Sequence, residues 1–364
     1  MEEKKLTMKD YVIETPGAVL ANIDRSKELT QSLVDLYVKK DYKRIIIVAC
    51  GSSYNGAICA KAFMHHVLKK EVQVVAPLTF VNYENDFTDD DFIVVCSQSG
   101  RSTNSLEAIE LIKSRGLPAI GITGDVESDF KEDCDLTVDW GVGIEKVGMV
   151  TKGVVTLALY FMLFALEASE KQSLLTSDEV KGWKDEMRKA MDVHQQLQTS
   201  SFAFIEKHKK DLLSMKNVWI ISAGTNLATG IEGALKIGES VKIHSTCYEV
   251  EEFLHGPVFP LNPDYTVIAI DSNDKCRQRI HDVYHAVKNV TDRAYLITSA
   301  PVDDEDAITT SIEVNELINP LAYLAVCPLL AEFAQQSLEC KMHPLYIHFR
   351  EGVSTKSRKK PWRV

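Results

Sequence analysis

Residues 45 to 53 read Ile45-Ile46-Ile47-Val48-Ala49-Cys50-Gly51-Ser52-Ser53, an unbroken apolar run that ends in a glycine and two serines. Such a run, bounded by a turn, marks a strand buried on both faces, as strands of a parallel sheet are. The plan returns at Phe92-Ile93-Val94-Val95-Cys96, which leads into Ser97-Gln98-Ser99-Gly100-Arg101-Ser102 and a helical pattern from Thr103 to Ser114, stopped by Gly116. Between these units, Tyr54 to Leu68 reads as a helix, and short strands are expected at Pro118 to Thr123 and Leu136 to Val138. Strands alternating with helices require right-handed crossovers, so the fold class is α/β with a doubly wound sheet of four or five strands.

Upstream, Ala18 to Lys39 carries apolar residues at helical spacing (Val19, Ile23, Leu29, Leu33, Leu36, Tyr37). Downstream, the charged stretch 169–210 has little turn chemistry and reads as a helical connector. The second half restarts with Val218-Trp219-Ile220-Ile221-Ser222-Ala223-Gly224-Thr225-Asn226, which mimics Ile45 to Ser53 and suggests an internal repeat. Its strand Tyr265 to Ile270 ends in Asp271-Ser272-Asn273, so only the first copy is expected to hold an anion. The expected organisation is a first domain over 1–168, the connector 169–210 and a second domain over 211–364.

A chain of 364 residues has room for two ordinary domains, and 45% apolar with 26% charged residues is a globular composition. The 41 Lys plus Arg against 52 Asp plus Glu give a net charge of -11, which disfavours nucleic-acid partners. Eight cysteines with no CxxC pair read as reduced thiols. The start Met1-Glu2-Glu3-Lys4-Lys5 lacks a secretory apolar core, so a cytoplasmic protein is expected. Gly153 to Leu166 is too short to span a bilayer and reads as a buried helix. The adjacent His65 and His66 lie on a predicted helix and point in different directions, and there is no HExxH, so neither a metal nor a cofactor is expected.

The chemistry concentrates in two strand-to-helix turns rich in hydroxyls, Gly51-Ser52-Ser53 and Ser97 to Ser102. Adjacent parallel strands would set both at the carboxyl edge of the sheet, where helix N-terminal amides and small hydroxyls can surround a phosphate. Neither turn has GxGxxG or Walker A spacing, so no nucleotide is implied. Arg101 either neutralises the phosphate or faces solvent. In the second half, Glu232, Lys236 and Glu239 share a helix face, which taken alone is an ordinary surface ion-pair stripe. His255 stands on a loop closed by Gly256 and Pro257, and His244 is expected on the same helix as Glu239 in a structural role. Together, a carboxylate base, a lysine and a loop histidine beside a phosphate cradle are what proton transfer next to a sugar carbonyl requires.

As a set, Ala49-Cys50-Gly51-Ser52-Ser53-Tyr54, Ser97 to Ser102, Glu145 with Thr151 and Lys152, Glu232 to Glu239, and His255-Gly256-Pro257 resemble the tandem sugar isomerase (SIS) domain family. The likeness is to the isomerase half of glucosamine-fructose-6-phosphate aminotransferase, over almost the full length. The resemblance implies two tandem SIS domains, each a flavodoxin-like sheet flanked by helices. It implies that Ser53, Ser97, Gln98, Ser99 and Ser102 hold a sugar phosphate with Ser52 beside them. It further implies that Glu239 moves a proton between C1 and C2 and that His255 opens the sugar ring. In the family this histidine enters from a second subunit, which implies a homodimer or a dimer of dimers.

The sequence also departs from that pattern. No glutaminase-like segment precedes the first domain and no N-terminal nucleophilic Cys stands at its start, so glutamine-derived ammonia is not expected as its nitrogen source. Val147-Gly148-Met149-Val150 replaces the aminotransferase's Gly-Val-Ala-Ser and removes a hydroxyl. The tail Glu351 to Trp362 lacks the family's lysine pattern, so no Schiff-base role is assigned to a tail lysine. These departures, with His343-Pro344-Leu345, point to deglycases and amino-sugar phosphate deaminases or isomerases acting on an amine-linked hexose 6-phosphate. The competing expectation is a non-catalytic phosphosugar sensor, which would need the serine loops but not Lys236, Glu239 and His255.

Overall fold

The structure, a computed structural model, describes residues 6–356. The polar start Met1 to Lys5 and the tail residues Ser357 to Trp362 considered above lie outside the described residues.

Two five-stranded sheets, parallel throughout, organise the chain. The first contains β1 (Arg44–Val48), β2 (Glu71–Val75), β3 (Asp91–Cys96), β4 (Ile120–Thr123) and β5 (Leu136–Asp139), in the order β2-β1-β3-β4-β5. The second contains β6 (Asn217–Ser222), β7 (His244–Glu249), β8 (Tyr265–Asp271), β9 (Ala294–Thr298) and β10 (Ala307–Thr309), in the order β10-β9-β8-β6-β7. Both orders reduce to the flavodoxin-like doubly wound pattern, so the likeness of Val218–Asn226 to the first half reflects a true structural repeat.

Burial explains which strands the sequence announces. Every residue of β3 is buried, and so is all of β1 except the half-buried Arg44, hence their continuous apolar runs. The edge strand β2, Glu71-Val72-Gln73-Val74-Val75, buries only Val72 and Val75 fully and was not foreseen. Its pleat needs a core on fewer positions, which leaves a weaker apolar signal. Ile46, Val48, Ile93, Val95, Ile109 and Phe130 form part of the core beneath this sheet. Each such side chain stabilises the fold by about 1.5–3 kcal/mol relative to exposure.

The register sets the functional edge. Val48 is level with both Val75 and Val95, so β1 and β3 end together and their loops open side by side. From there the chain crosses to opposite sides of the sheet, to β2 after β1 and to β4 after β3. That is a topological switch point, where doubly wound sheets take their ligands.

The contacts divide the chain into two compact units. The β1–β5 unit joins Gly17–Lys146 and Lys152–Lys184 to the described tail from His343, and the β6–β10 unit joins Val147–Thr151 and Asp185–Met342 to the described residues up to Pro16. The expected boundaries kept each chain end with its nearer half, whereas the structure exchanges them. Backbone pairing of Ser102 with Lys356 fixes the tail. Bonds from Gln198 to the Val12 carbonyl (3.2 Å) and from the Lys9 amide to Glu332 fix the start. The stretch expected as a connector is helical, through Lys152–Lys171, Ser177–Lys207 and Lys209–Leu213. The helix Lys152–Lys171 is long and apolar enough to cross a membrane by composition, yet it is buried from Lys152 to Ser169.

Gly100 tests this geometry. Its φ is +57°, and a Cβ there would lie 1.9 Å from the Ser128 hydroxyl and 2.7 Å from its Cβ. Gly51, at φ +58°, faces open space. Backbone strain of this kind costs about 1–3 kcal/mol, so Gly51→Ala should lose stability in that range and Gly100→Ala should lose more. Urea denaturation checks the ordering, and equal losses would contradict the close packing around Gly100.

Candidate functional site

The first loop follows β1. Gly51 takes a backbone conformation (φ 58°, ψ -137°) suited to glycine, and the helix Ser52–Leu68 starts at once, leaving Ser52 and Ser53 half-buried in its first turn. After β3, the Gly100 amide donates to the Ser97 carbonyl at 2.9 Å and closes a tight turn. Ser102 is extended (φ -69°, ψ 124°) and opens the helix Thr103–Ser114. The Ser97 hydroxyl lies 3.2 Å from that of Ser102, and both residues are buried. Asn104 donates to the Cys50 thiol at 3.5 Å, which ties the two loops together. The expected cradle residues Ser52, Ser53, Ser97, Ser99 and Ser102 thus lie on two tied loops at one sheet edge.

Three expected ligands, Gln98, Glu145 and Arg101, have other partners. Gln98 donates its side-chain amide to Glu145 at 2.7 Å, and Glu145 also accepts from the backbone amides of Lys152 (2.7 Å) and Gly153 (3.0 Å). Glu145 therefore caps the helix Lys152–Lys171, where a carboxylate suits the positive end of the helix dipole. The Gln98 Oε1 is buried and has no hydrogen-bond donor among the described residues. Arg101 neither faces solvent nor stands free: it is 3% exposed and pairs with Asp125 at 3.1 Å. Val150 and Thr151 fall in the stretch grouped with the β6–β10 unit, where the Thr151 hydroxyl donates to the Met149 carbonyl at 2.9 Å.

The structure gives a place to one of the tail lysines to which the sequence assigned no role. The Lys356 ammonium donates to the Ser99 hydroxyl at 2.7 Å and the Ser102 hydroxyl at 3.0 Å. The tail is held there by antiparallel pairing of Lys356 with Ser102 and by the Thr103 amide donating to the Thr355 carbonyl at 3.3 Å. Burial, with the charge of Arg101 adding to it, lowers the lysine pKa below its usual range. No local motif announces Lys356, because its contacts lie more than 250 residues away.

In the β6–β10 unit, Glu232, Lys236 and Glu239 lie on the helix Leu227–Val241. They are not a surface stripe: the Lys236 and Glu232 side chains are each 1% exposed, and Glu239 is 33% exposed. Lys236 lies 3.1 Å from Glu232 and 2.5 Å from Glu239. Burial alone would lower the lysine pKa, but the two carboxylates outweigh it and hold the pKa above the usual range. Its charge-dependent stabilisation is therefore complete at neutral pH and lost only as pH rises through the raised folded value.

His244 is not on that helix as expected. Lys242 turns left-handed (φ 65°) and ends it, and His244 begins β7. His255 is exposed just past the short helix Val250–Leu254, its backbone amide donating to the Glu251 and Glu252 carbonyls. At the second sheet's switch point, the fully buried Asp271 carboxylate accepts from Thr298 (2.9 Å) and Asn273 (2.7 Å) and lies 3.0 Å from His281. Arg277 lies 3.6 Å from the same carboxylate, so that switch point already holds an anion of its own, in contrast to the serine loops.

This geometry agrees with the comparisons. Residues 40–166, about a third of the chain, match the SIS domain family model. Among curated relatives, the chain is 27% identical over 330 residues to the glutamine–fructose-6-phosphate aminotransferase [isomerizing] of Thermococcus kodakarensis, covering 88% of this chain and 53% of that protein. The chain thus spans about half the length of the curated relatives it matches. Solved structures share the fold. The C-terminal domain of glucosamine-fructose-6-phosphate aminotransferase from Francisella tularensis superposes with TM-score 0.80 at 22% identity, covering 92% of this chain and 97% of that one. A glucosamine-6-phosphate deaminase from Thermotoga maritima gives TM-score 0.68 at 18% identity, covering 89% and 95%.

The buried ion cluster yields a stability test. Lys236→Met removes the ammonium from a buried carboxylate and should cost about 3–5 kcal/mol, whereas Glu239→Gln, at a partly exposed pair, should cost about 1 kcal/mol or less. Chemical denaturation of both variants checks this, and equal losses would contradict the unequal burial of Lys236 and Glu239.

Proposed function

We propose that this protein is an enzyme acting on an amine-linked hexose 6-phosphate. The serine loops after β1 and β3 hold the phosphate. Glu239 takes the proton from C1 of a 1-amino-1-deoxyketose and returns it at C2, which converts the ketose amine to an aldimine. Water then adds at C1, and the C–N bond breaks to give hexose 6-phosphate and free amine. His255 assists ring opening. In the aldose-linked adduct the proton travels the other way between the same carbons. Deglycase, deaminase and isomerase chemistry share this proton transfer and differ in what leaves.

The observation that carries this reading is the Glu232–Lys236–Glu239 cluster. A buried ion pair holding a partly exposed carboxylate is costly to assemble, and a protein that only senses a phosphosugar has no use for it. The Lys236 ammonium, 2.5 Å away, fixes the position of the Glu239 carboxylate.

The test is to incubate the protein with fructoselysine 6-phosphate, glucoselysine 6-phosphate, glucosamine 6-phosphate, and fructose 6-phosphate plus ammonia, following hexose 6-phosphate, amine and ammonia. Turnover of an amine-linked compound is expected, with Glu239→Gln slower by about a hundredfold to ten-thousandfold. Binding without turnover of any compound, unaffected by Glu239→Gln, would overturn the enzyme in favour of a sensor.

We also propose a homodimer or dimer of dimers in which His255 serves the site of a second subunit. Exchanging inactive Glu239→Gln subunits with inactive His255→Ala subunits should restore about a quarter of wild-type activity, since half the dimers are then mixed and carry one intact site each. No recovery despite subunit exchange would contradict the sharing.

A further inference from the structure

We propose that Lys356 is a cationic ligand of the substrate phosphate, carried into the serine cradle by the tail; this rests on the reading of the cradle as a phosphosugar site. The Lys356 ammonium touches two cradle hydroxyls, Ser99 at 2.7 Å and Ser102 at 3.0 Å. Both oxygens accept from the lysine, so their own protons are left to donate outward. Ser97 donates toward the same cluster at 3.2 Å. An ammonium beside two hydroxyls whose protons can donate outward suits a phosphate group.

The electrostatics of the place support this. Lys356 sits at the N-terminus of the helix Thr103–Ser114, the positive end of its dipole, and feels the charge of Arg101. Arg101 has Asp125 beside it, whereas Lys356 has no carboxylate within ion-pair distance among the described residues. The neighbouring groups that titrate or carry charge are Cys50 and Arg101, and burial with Arg101 shifts the lysine pKa downward. A half-buried cation so placed is electrostatically unfavourable until an anion arrives, and a phosphate dianion supplies the missing charge. The backbone pairing of Ser102 with Lys356 holds the lysine in register, as a ligand must be held.

Isothermal titration of the full chain with glucose 6-phosphate, glucose and inorganic phosphate tests the proposal. Wild type should prefer glucose 6-phosphate to glucose, with inorganic phosphate competing. Lys356→Ala should weaken glucose 6-phosphate by about ten- to a hundredfold while leaving glucose unchanged, and Lys356→Arg should retain most of the affinity. Wild-type affinity should fall as pH rises from neutrality into the alkaline range, and that of Lys356→Arg should fall less, because the arginine keeps its charge. Unchanged affinity in Lys356→Ala would overturn the role of the lysine and leave the cradle reading standing. Tighter binding would show the tail to be a plug, and slower turnover at unchanged affinity would place Lys356 elsewhere in the reaction, and either would overturn the proposal. Wild type that binds no phosphosugar would overturn the cradle reading as well, so the two failures are distinguishable.

Discussion

The constraint on which the first sheet's site depends is the parallel pairing of β1 with β3. Two buried parallel neighbours must each hand the chain to a crossover helix, and their level ends put both helix starts at one edge. With β2 and β4 on opposite flanks, the two loops lead to opposite sides of the sheet, the place where doubly wound folds take their ligands. Nothing more elaborate is needed to make an anion site. The second sheet repeats the topology and reaches a different result, because Asp271 fills the corresponding switch point with its own negative charge.

Charge placement gives the two units different characters. The net charge of -11 argues against broad attraction of polyanions, so affinity for a phosphate must be built locally. The proposed cradle would do this with hydroxyls, a helix N-terminus and one lysine, while Arg101 lies against Asp125. The helix Leu227–Val241 does the reverse, burying Lys236 between two carboxylates of unequal exposure. The buried Glu232 anchors the lysine, and the lysine holds Glu239 at the accessible end.

How much the sequence disclosed follows from how local each feature is. β1 and β3 are legible because burial on both faces writes a continuous apolar run, whereas β2 is blurred because an edge strand needs fewer apolar positions. The serine loops could be found because their strand, glycine and helix start are contiguous. The burial of Lys236 could not, since i, i+3 and i+4 charges look the same on a surface and in a core. Lys356 was illegible because its partners lie at the far end of the chain, and nothing in Ser354-Thr355-Lys356 specifies where the tail docks. The exchange of chain ends between the units was hidden for the same reason.

The central claim is that the loops after β1 and β3 are a phosphate cradle for a sugar. The most direct measurement is a crystal structure with glucitol 6-phosphate, an open-chain hexose phosphate with no carbonyl to react. The account predicts phosphate oxygens within hydrogen-bonding distance of the Ser97, Ser99 and Ser102 hydroxyls at the carboxyl edge of the first sheet. Phosphate bound at the Asp271 switch point or elsewhere, with these serines untouched, would contradict it.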